Sequence, residues 1–357
     1  MTAVSICHGA DSYEVVIGAG LLDTVGSIIA KTLRGPRCAI ITDTNVARHF
    51  GARVEQSLKA ANFDPVLITI PAGEQAKTLE QAGAICDRMI EARLDRQSFV
   101  IGLGGGVVGD LSGFVAAIFQ RGIPHVQIPT TVLAMVDSSI GGKTGVNTRA
   151  GKNLLGAVHH PSLVIDDVDL LKSLQRRKFN QGFAEIIKHG IIADAEMFAD
   201  LKPNVASDAP ALQQLIRRNI EIKAGIVAKD ELDRTGERAL LNFGHTVGHA
   251  IEQASNYKVF LHGEAIALGM VAACAVSMKK AGLPKAQRDA IVDLLRAFDL
   301  PTRLPKDFPR AGIFEALQRD KKFESGQVRF VVTSKIGSAL LSSDVTLEDI
   351  REGIAEL

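Results

Sequence analysis

Cysteine is scarce in this sequence, and the little there is carries no pattern. Cys7, Cys38, Cys86 and Cys274 are scattered, with no CxxC pair and no repeated spacing. That excludes a disulfide framework and a thiolate metal site and fits a reducing compartment. Long apolar runs are lacking as well: the longest, 265–278, is too short to cross a bilayer. The first residues lack the basic-then-apolar layout of a secretory signal, so a cytoplasmic protein with no membrane partner is expected. An excess of either charge is missing, with 41 Lys and Arg against 40 Asp and Glu, and no nucleic-acid footprint follows from that balance. Internal repeats and low-complexity tracts are also absent.

What is present is an ordinary enzyme composition, 46% hydrophobic and 23% charged, in 357 residues, a length that calls for two domains. The near-neutral total hides a local bias. Lys and Arg gather beside glycine-rich stretches, where an anion such as phosphate can be held. Short β-branched runs at 37–42, 65–70, 98–103, 125–128 and 163–165 alternate with helical patterns, the signature of βαβ units around a mainly parallel sheet. One helix is expected over 78–93, where Leu79, Ala82, Ile85, Met89 and Ile90 recur near a 3.6-residue period, and an opening hairpin around 13–17. From about 174 the texture turns to long helical patterns at 179–194, 210–229, 238–255, 263–281 and 285–297, with strand signals only at 328–332 and 338–341. This reads as an α/β domain over 1–174 and a mostly helical domain over 175–357, meeting in the basic stretch 172–178.

Gly104, Gly106 and Gly109 satisfy GxGxxG between a strand and a helix. Missing side chains let backbone N–H groups approach a pyrophosphate at the positive end of the helix; tight strand-to-helix packing is the competing reason for the same glycines. No acid stands about 20 residues onward, where the dinucleotide fingerprint places one. Asp43, ending the earlier strand, is the better ribose candidate, against the alternative of a turn acid. The run from Pro129 to Asn147, followed by Lys152 and Asn153, is too polar and glycine-rich to be packing filler. Its ammonium groups, Asp137 and exposed amides suit a polyhydroxylated anion. Gly142-Lys143-Thr144 resembles part of a P-loop, but Asp137 stands where the first glycine belongs, so a nucleotide triphosphatase is rejected.

His245 and His249 fall four apart on one helical face, and spacing alone nominates both as metal ligands. A peptidase is unsupported, since Thr246 stands where HExxH needs its Glu. His262 opens the next helix. Glu185, a carboxylate inside an apolar helix where an unpaired charge is costly, is a candidate third ligand. Two His and a carboxylate leave an open position for a substrate oxygen.

Taken together, GGGVVGD, RGIPHVQIPTT, MVDSSIGGKTGVN, GFAEIIKHG, LNFGHTVGHAIE and LHGEAIALGM resemble the 3-dehydroquinate synthase family, over about 43–322. The resemblance implies a Rossmann-like N-terminal domain, a helical C-terminal domain, one NAD, one Zn²⁺ or Co²⁺, and a homodimer. It implies Glu185, His245 and His262 as metal ligands, which turns His249 into a substrate or proton-relay residue. NAD contacts are implied for Asp43, Glu74, Lys77, Gly105, Gly106, Val107, Val108, Gly109, Asp110, Thr130, Thr131, Lys143, Lys152, Leu170, Leu171, Lys172 and Ser173. Asp137, Lys143, Lys152, Asn153, Lys188, Lys223, Arg238, Asn242 and Lys322 are implied around the substrate, with Arg121 reaching the phosphate bound by the neighbouring subunit. Gln175 stands where the family commonly has Pro, and the acidic run 230–238 is one residue longer than usual, which leaves open which acid there matters.

The implied reaction closes 3-deoxy-D-arabino-heptulosonate 7-phosphate to 3-dehydroquinate. A transient oxidation at carbon 5 acidifies the carbon 6 hydrogen, phosphate leaves, the ketone is reduced again, and an aldol addition closes the carbocycle without net redox. The alternatives are a sister cyclase making 2-deoxy-scyllo-inosose or 2-epi-5-epi-valiolone, a metal-dependent polyol dehydrogenase, and a non-enzymatic NAD sensor.

Overall fold

The computed structural model describes residues 1–231, 233–319 and 328–357; Lys322 lies outside them. The chain clusters into two compact units, one of Met1–Leu174 with Asp208–Ala224 and one of Gln175–Ser207 with Gly225–Leu357.

The first unit is built on a seven-stranded sheet. In chain order its strands are β1 (Thr2–His8), β2 (Asp11–Gly18), β3 (Arg37–Asp43), β4 (Asp64–Ile70), β5 (Phe99–Gly104) and β6 (His125–Pro129). A separate hairpin, β7 (Lys143–Thr148) and β8 (Gly151–Val158), precedes β9 (Leu163–Asp167). The sheet order is β1-β2-β9-β6-β5-β3-β4. Every pairing is parallel except β1 with β2, the opening hairpin expected from sequence. Alternation along the strands feeds a core on each face. Ile40, Ile101, Val126 and Ile165 pack with Leu22, Val25 and Leu58 on one side. Ala39, Ile41, Val100 and Ile68 pack with Ile85, Met89, Leu111 and Val115 on the other.

Helix Leu79–Glu91 starts where Thr78 caps Gln81 N–H and buries Ala82, Ile85 and Met89. Leu79 and Ile90, two of the five apolar positions in its pattern, are exposed instead, at 53% and 60%. They sit at the helix ends, beyond the stripe that meets the sheet. The polar run after 142 forms β7 and β8, a hairpin without apolar alternation, held by a ladder from Lys143↔Val158 to Thr148↔Gly151.

In the second unit, helix His262–Lys280 is buried nearly all round from Gly263 to Ser277, which makes it the central element. The helix expected over 238–255 is two elements, a 3-10 turn Arg238–Asn242 and helix His245–Ala254. Gly244 separates them at φ 80, a left-handed conformation that stops one helix and starts the next. Helix Phe183–Ala193 and the antiparallel pair β10 (Val328–Lys335) and β11 (Ser338–Val345) complete what positions the site. Among the described residues, no helix is long and apolar enough to cross a membrane.

Candidate active site

In the first unit, the candidate residues gather at the carboxyl ends of parallel strands, where open α/β sheets bind ligands. Asp43 ends β3 beside β5, since Thr42 is in register with Leu103. Its Oδ1 accepts from Asn45 and Val46 N–H at 2.8 and 3.1 Å, so it caps the turn after its strand. Gly104 ends β5, and Gly105 precedes helix Gly106–Ile118. The two reasons for a glycine divide among these positions. A Cβ at Gly104 would lie 2.7 Å from Val108 Cβ, and one at Gly109 2.7 Å from Gln127 Oε1, so these two let the helix pack on the sheet. At Gly105 and Gly106 the nearest atoms would be the Thr131 methyl at 3.2 Å and the Ser138 hydroxyl at 3.1 Å. Those two keep open a cradle in front of the helix start, bounded by Thr131. Thr130 N–H closes its base on Gly104 C=O at 2.9 Å. Val108 is buried in the first turn and Val107 half-buried.

Lys77 is 3% exposed, and its ammonium meets the Asp110 carboxylate and Asn153 Oδ1, the latter at 2.5 Å. Burial raises the Asp110 carboxyl above its ordinary range, with Lys77 pulling it partly back. Glu74 accepts from Asn147 Nδ2 at 2.8 Å and stands 3.9 Å from Lys152 Nζ. Asn147 Oδ1 in turn accepts from Asn153 N–H at 3.1 Å. The hairpin carrying Lys143, Lys152 and Asn153 is thereby tied to the turn after β4. Asn147, whose side chain makes both bonds, had no role assigned from sequence. Lys143 is exposed at the start of β7. Lys223 donates to the Asp137 carbonyl at 2.6 Å and to its carboxylate.

After β9 the turn Val168–Ser173 buries the Leu170 and Leu171 side chains at 1% and 3%, so these serve the core and only their backbone is left for a ligand. Lys172 pairs with Asp169 at 2.6 Å, and Ser173 Oγ donates to Leu170 C=O at 2.8 Å. Arg121 is exposed, with Gln120 and Arg121 both left-handed at φ 52 and 67.

In the second unit, three ligand atoms converge. Glu185 Oε1 lies 3.5 Å from His245 Nε2 and 3.7 Å from His262 Nε2. These separations are long for hydrogen bonds, but atoms each about 2.1 Å from a tetrahedral ion stand about 3.4 Å apart. Glu185 is fully buried, and its Oε1 has no hydrogen-bond partner among the described residues. A buried carboxylate oxygen without a donor, facing two imidazole nitrogens, fits a divalent cation. The same residue's Oε2 accepts from Lys188, itself 1% exposed.

The approach of these side chains has a local cause. At Gly269 a Cβ would lie 1.9 Å from Gly244 C=O, so only glycine lets helices His245–Ala254 and His262–Lys280 close enough for their leading histidines to meet at 5.6 Å. Burial pushes the Glu185 carboxyl up, but Lys188, His245 and His262 together hold it well below the carboxylate range. Burial, with Lys188, holds His245 well below its ordinary value, so its ring is neutral and can ligate. Burial also pushes His262 down, but Glu185 and Glu252 outweigh it and raise the imidazole to about 10. His249 is exposed, edge-on to His245 at 5.3 Å.

Arg238 is buried and donates to Glu231 C=O at 2.7 Å; Asn242 is half-buried at the end of the same turn. Of the acids in 230–238, Asp230 accepts four backbone N–H groups, from Arg234, Thr235, Gly236 and Arg238. Sequence reasoning passed over Glu252, whose Oε2 lies 3.3 Å from His262 Nδ1. Spacing along its own helix does not reveal this partnership, because His262 belongs to the next helix.

Residues 67–181 match the family model described as 3-dehydroquinate synthase N-terminal, and 182–323 the one described as 3-dehydroquinate synthase C-terminal. The chain is 44% identical to the 3-dehydroquinate synthase of Symbiobacterium thermophilum, covering 98% of this chain and 99% of that one. It is 43% identical to that of a Nostoc species over 100% and 99%. Among solved structures it is similar to a 2-deoxy-scyllo-inosose synthase complexed with carbaglucose-6-phosphate, NAD⁺ and Co²⁺, with TM-score 0.91, 26% identity and coverage of 99% and 100%. It is likewise similar to a 2-epi-5-epi-valiolone synthase from Streptomyces hygroscopicus with NAD⁺ and Zn²⁺ bound, with TM-score 0.88, 29% identity and coverage of 98% and 97%. An iron-containing alcohol dehydrogenase, at 16% identity and TM-score 0.69, shares the fold alone. The relatives at 42–44% identity carry one name and the cyclases at 25–29% carry others; the chain belongs to the 3-dehydroquinate synthase family.

Proposed function

We propose that this protein converts 3-deoxy-D-arabino-heptulosonate 7-phosphate to 3-dehydroquinate and phosphate, with one NAD and one Zn²⁺ or Co²⁺. The observation that carries the reading is the convergence of Glu185 Oε1, His245 Nε2 and His262 Nε2 in a chain with 3-dehydroquinate synthase relatives over its full length. When bound, NAD supplies a reversible oxidant for a substrate alcohol, and the cation supplies positive charge beside substrate oxygens.

The chain's own residues do the rest. Residues 1–174 of the first unit bind the dinucleotide. The Gly105–Gly106 cradle and the helix start behind it receive the pyrophosphate through backbone N–H groups, and Asp43 accepts ribose hydroxyls. The second unit holds the cation through Glu185, His245 and His262, and Lys188 keeps the Glu185 carboxylate ionised. Lys143, Lys152 and Asn153 on the hairpin, with Lys188, Lys223, Arg238, Asn242 and Lys322, bind substrate phosphate, carboxylate and hydroxyls. Asp137 is held by Lys223 and accepts from a substrate hydroxyl. The substrate phosphate, fixed by these lysines, accepts the carbon 6 proton, and His249 exchanges a proton with solvent. In the cytoplasm two copies pair, and Arg121 of each reaches the phosphate held by the other.

The test is product identification. Purified protein with the heptulosonate phosphate, NAD and Zn²⁺ or Co²⁺ releases one phosphate per carbocycle, with no accumulation of NADH. Stoichiometric NADH would make it a dehydrogenase, and turnover of glucose 6-phosphate or sedoheptulose 7-phosphate instead would make it a sister cyclase.

A further inference from the structure

We infer that Glu252 is a positioning residue for the cation, fixing the His262 ring so that Nε2 is presented to it; the inference rests on the proposed role of Glu185, His245 and His262 as ligands. Each of those three side chains uses one atom toward the shared point and another toward a partner. Glu185 Oε2 accepts from Lys188. His245 Nδ1 faces Phe243 C=O at 3.3 Å, and because a carbonyl only accepts, the ring proton sits on Nδ1 and the lone pair on Nε2. His262 repeats this arrangement with Glu252 in place of the carbonyl, Nδ1 to Oε2 at 3.3 Å.

The case for Glu252 is stronger than for a passing contact. Its side chain is 5% exposed, in the last turn of helix His245–Ala254, where a carboxylate is costly unless it is paired. His262, by contrast, is 28% exposed at the first position of its helix, the less confined of the two ligand rings. Three hydrogen bonds fix where that helix begins: Arg177 grips Glu264 through two nitrogens at 2.6 and 2.7 Å, and Glu264 Oε2 accepts from Leu261 N–H at 2.8 Å. Those bonds set the backbone of His262 and leave its ring rotation to Glu252. A carboxylate there also makes Nε2 a better donor to a cation, which a neutral carbonyl does less well.

The experiment measures Zn²⁺ affinity of the metal-stripped full chain by chelator competition, and the visible spectrum of the Co²⁺ form. Glu252→Ala is expected to weaken Zn²⁺ binding about 10- to 100-fold and to alter the Co²⁺ bands. Glu252→Gln keeps an acceptor without the charge and is expected to recover part of the loss. Wild-type affinity and spectrum in both variants would overturn the inference while leaving the ligand assignment standing. Two cations bound by the wild type and one by Glu252→Ala would overturn it too, making Glu252 a ligand of a second ion alongside His249. No cation bound by the wild type, or unchanged affinity in Glu185→Gln, would instead sink the ligand assignment on which the inference rests.

Discussion

Lys152 illustrates how residue chemistry was legible where a charge had to be accounted for. A lysine beside asparagine in a glycine-rich run pointed to an anion, and the structure places its ammonium 3.9 Å from Glu74, with the side chain 27% exposed. A phosphate arriving there gains a charge-assisted bond worth about 1.5–3 kcal/mol. Lys152→Ala is therefore expected to lower kcat/KM by roughly 10- to 100-fold, read from phosphate release, with the melting temperature unchanged. Normal turnover with normal substrate affinity would remove Lys152 from the phosphate site. Glu185 was legible for the same reason, a carboxylate in an apolar helix. Glu252 and Asn147 were not, because each acts on a side chain from another element, a partnership that no spacing along one segment reveals.

At the scale of elements, period and turn chemistry carried the parallel sheet and most long helices, because both record one buried face. The hairpin of β7 and β8 escaped, since its strands alternate no apolar face and are held by ladder bonds and by Asn147 and Asn153. The break inside 238–255 escaped because the apolar period continues across Gly244 while the backbone does not. That break is testable. Gly244→Ala must hold φ 80 with a Cβ 2.8 Å from Met270 N and 2.7 Å from its Cγ. About 2–4 kcal/mol of destabilisation is expected from backbone strain and overpacking together. Because His245 follows directly, Zn²⁺ affinity falls with it. Gly83→Ala is the control, within helix Leu79–Glu91 and with nothing within 4 Å of its Cβ. It is expected to gain about 0.5–1 kcal/mol in urea unfolding. Equal effects of the two substitutions would contradict the role given to Gly244.

For the whole molecule, the α/β and helical halves were legible from texture, but the return of residues 208–224 to the first unit was not, because a helix records its own face and not which core receives it. Stability as a function of pH belongs to this scale. His125, on β6, is fully buried, stacked on His159 at 5.0 Å, and neither ring nitrogen has a hydrogen-bond partner among the described residues. Burial, reinforced by His159 and His160, pushes its imidazole down to about 3. The unfolded chain takes up that proton near its ordinary value of about 6.5. Between those two values the unfolded state binds one proton more, so stability rises with pH there, by about 1.4 kcal/mol per unit from this residue. His245, also depressed, adds a slope of the same sign. Asp166, a buried carboxyl raised well above its usual range, gives the opposite slope above about 4. Comparing the wild type with His125→Leu cancels both. Urea unfolding from pH 6.5 down to 4.5, in the presence of chelator, is expected to lose about 1.4 kcal/mol per unit less in the variant than in the wild type. Parallel lines for the two proteins would mean that His125 is already protonated in the folded state, and that its place in the sheet is held by a charge rather than by a neutral ring.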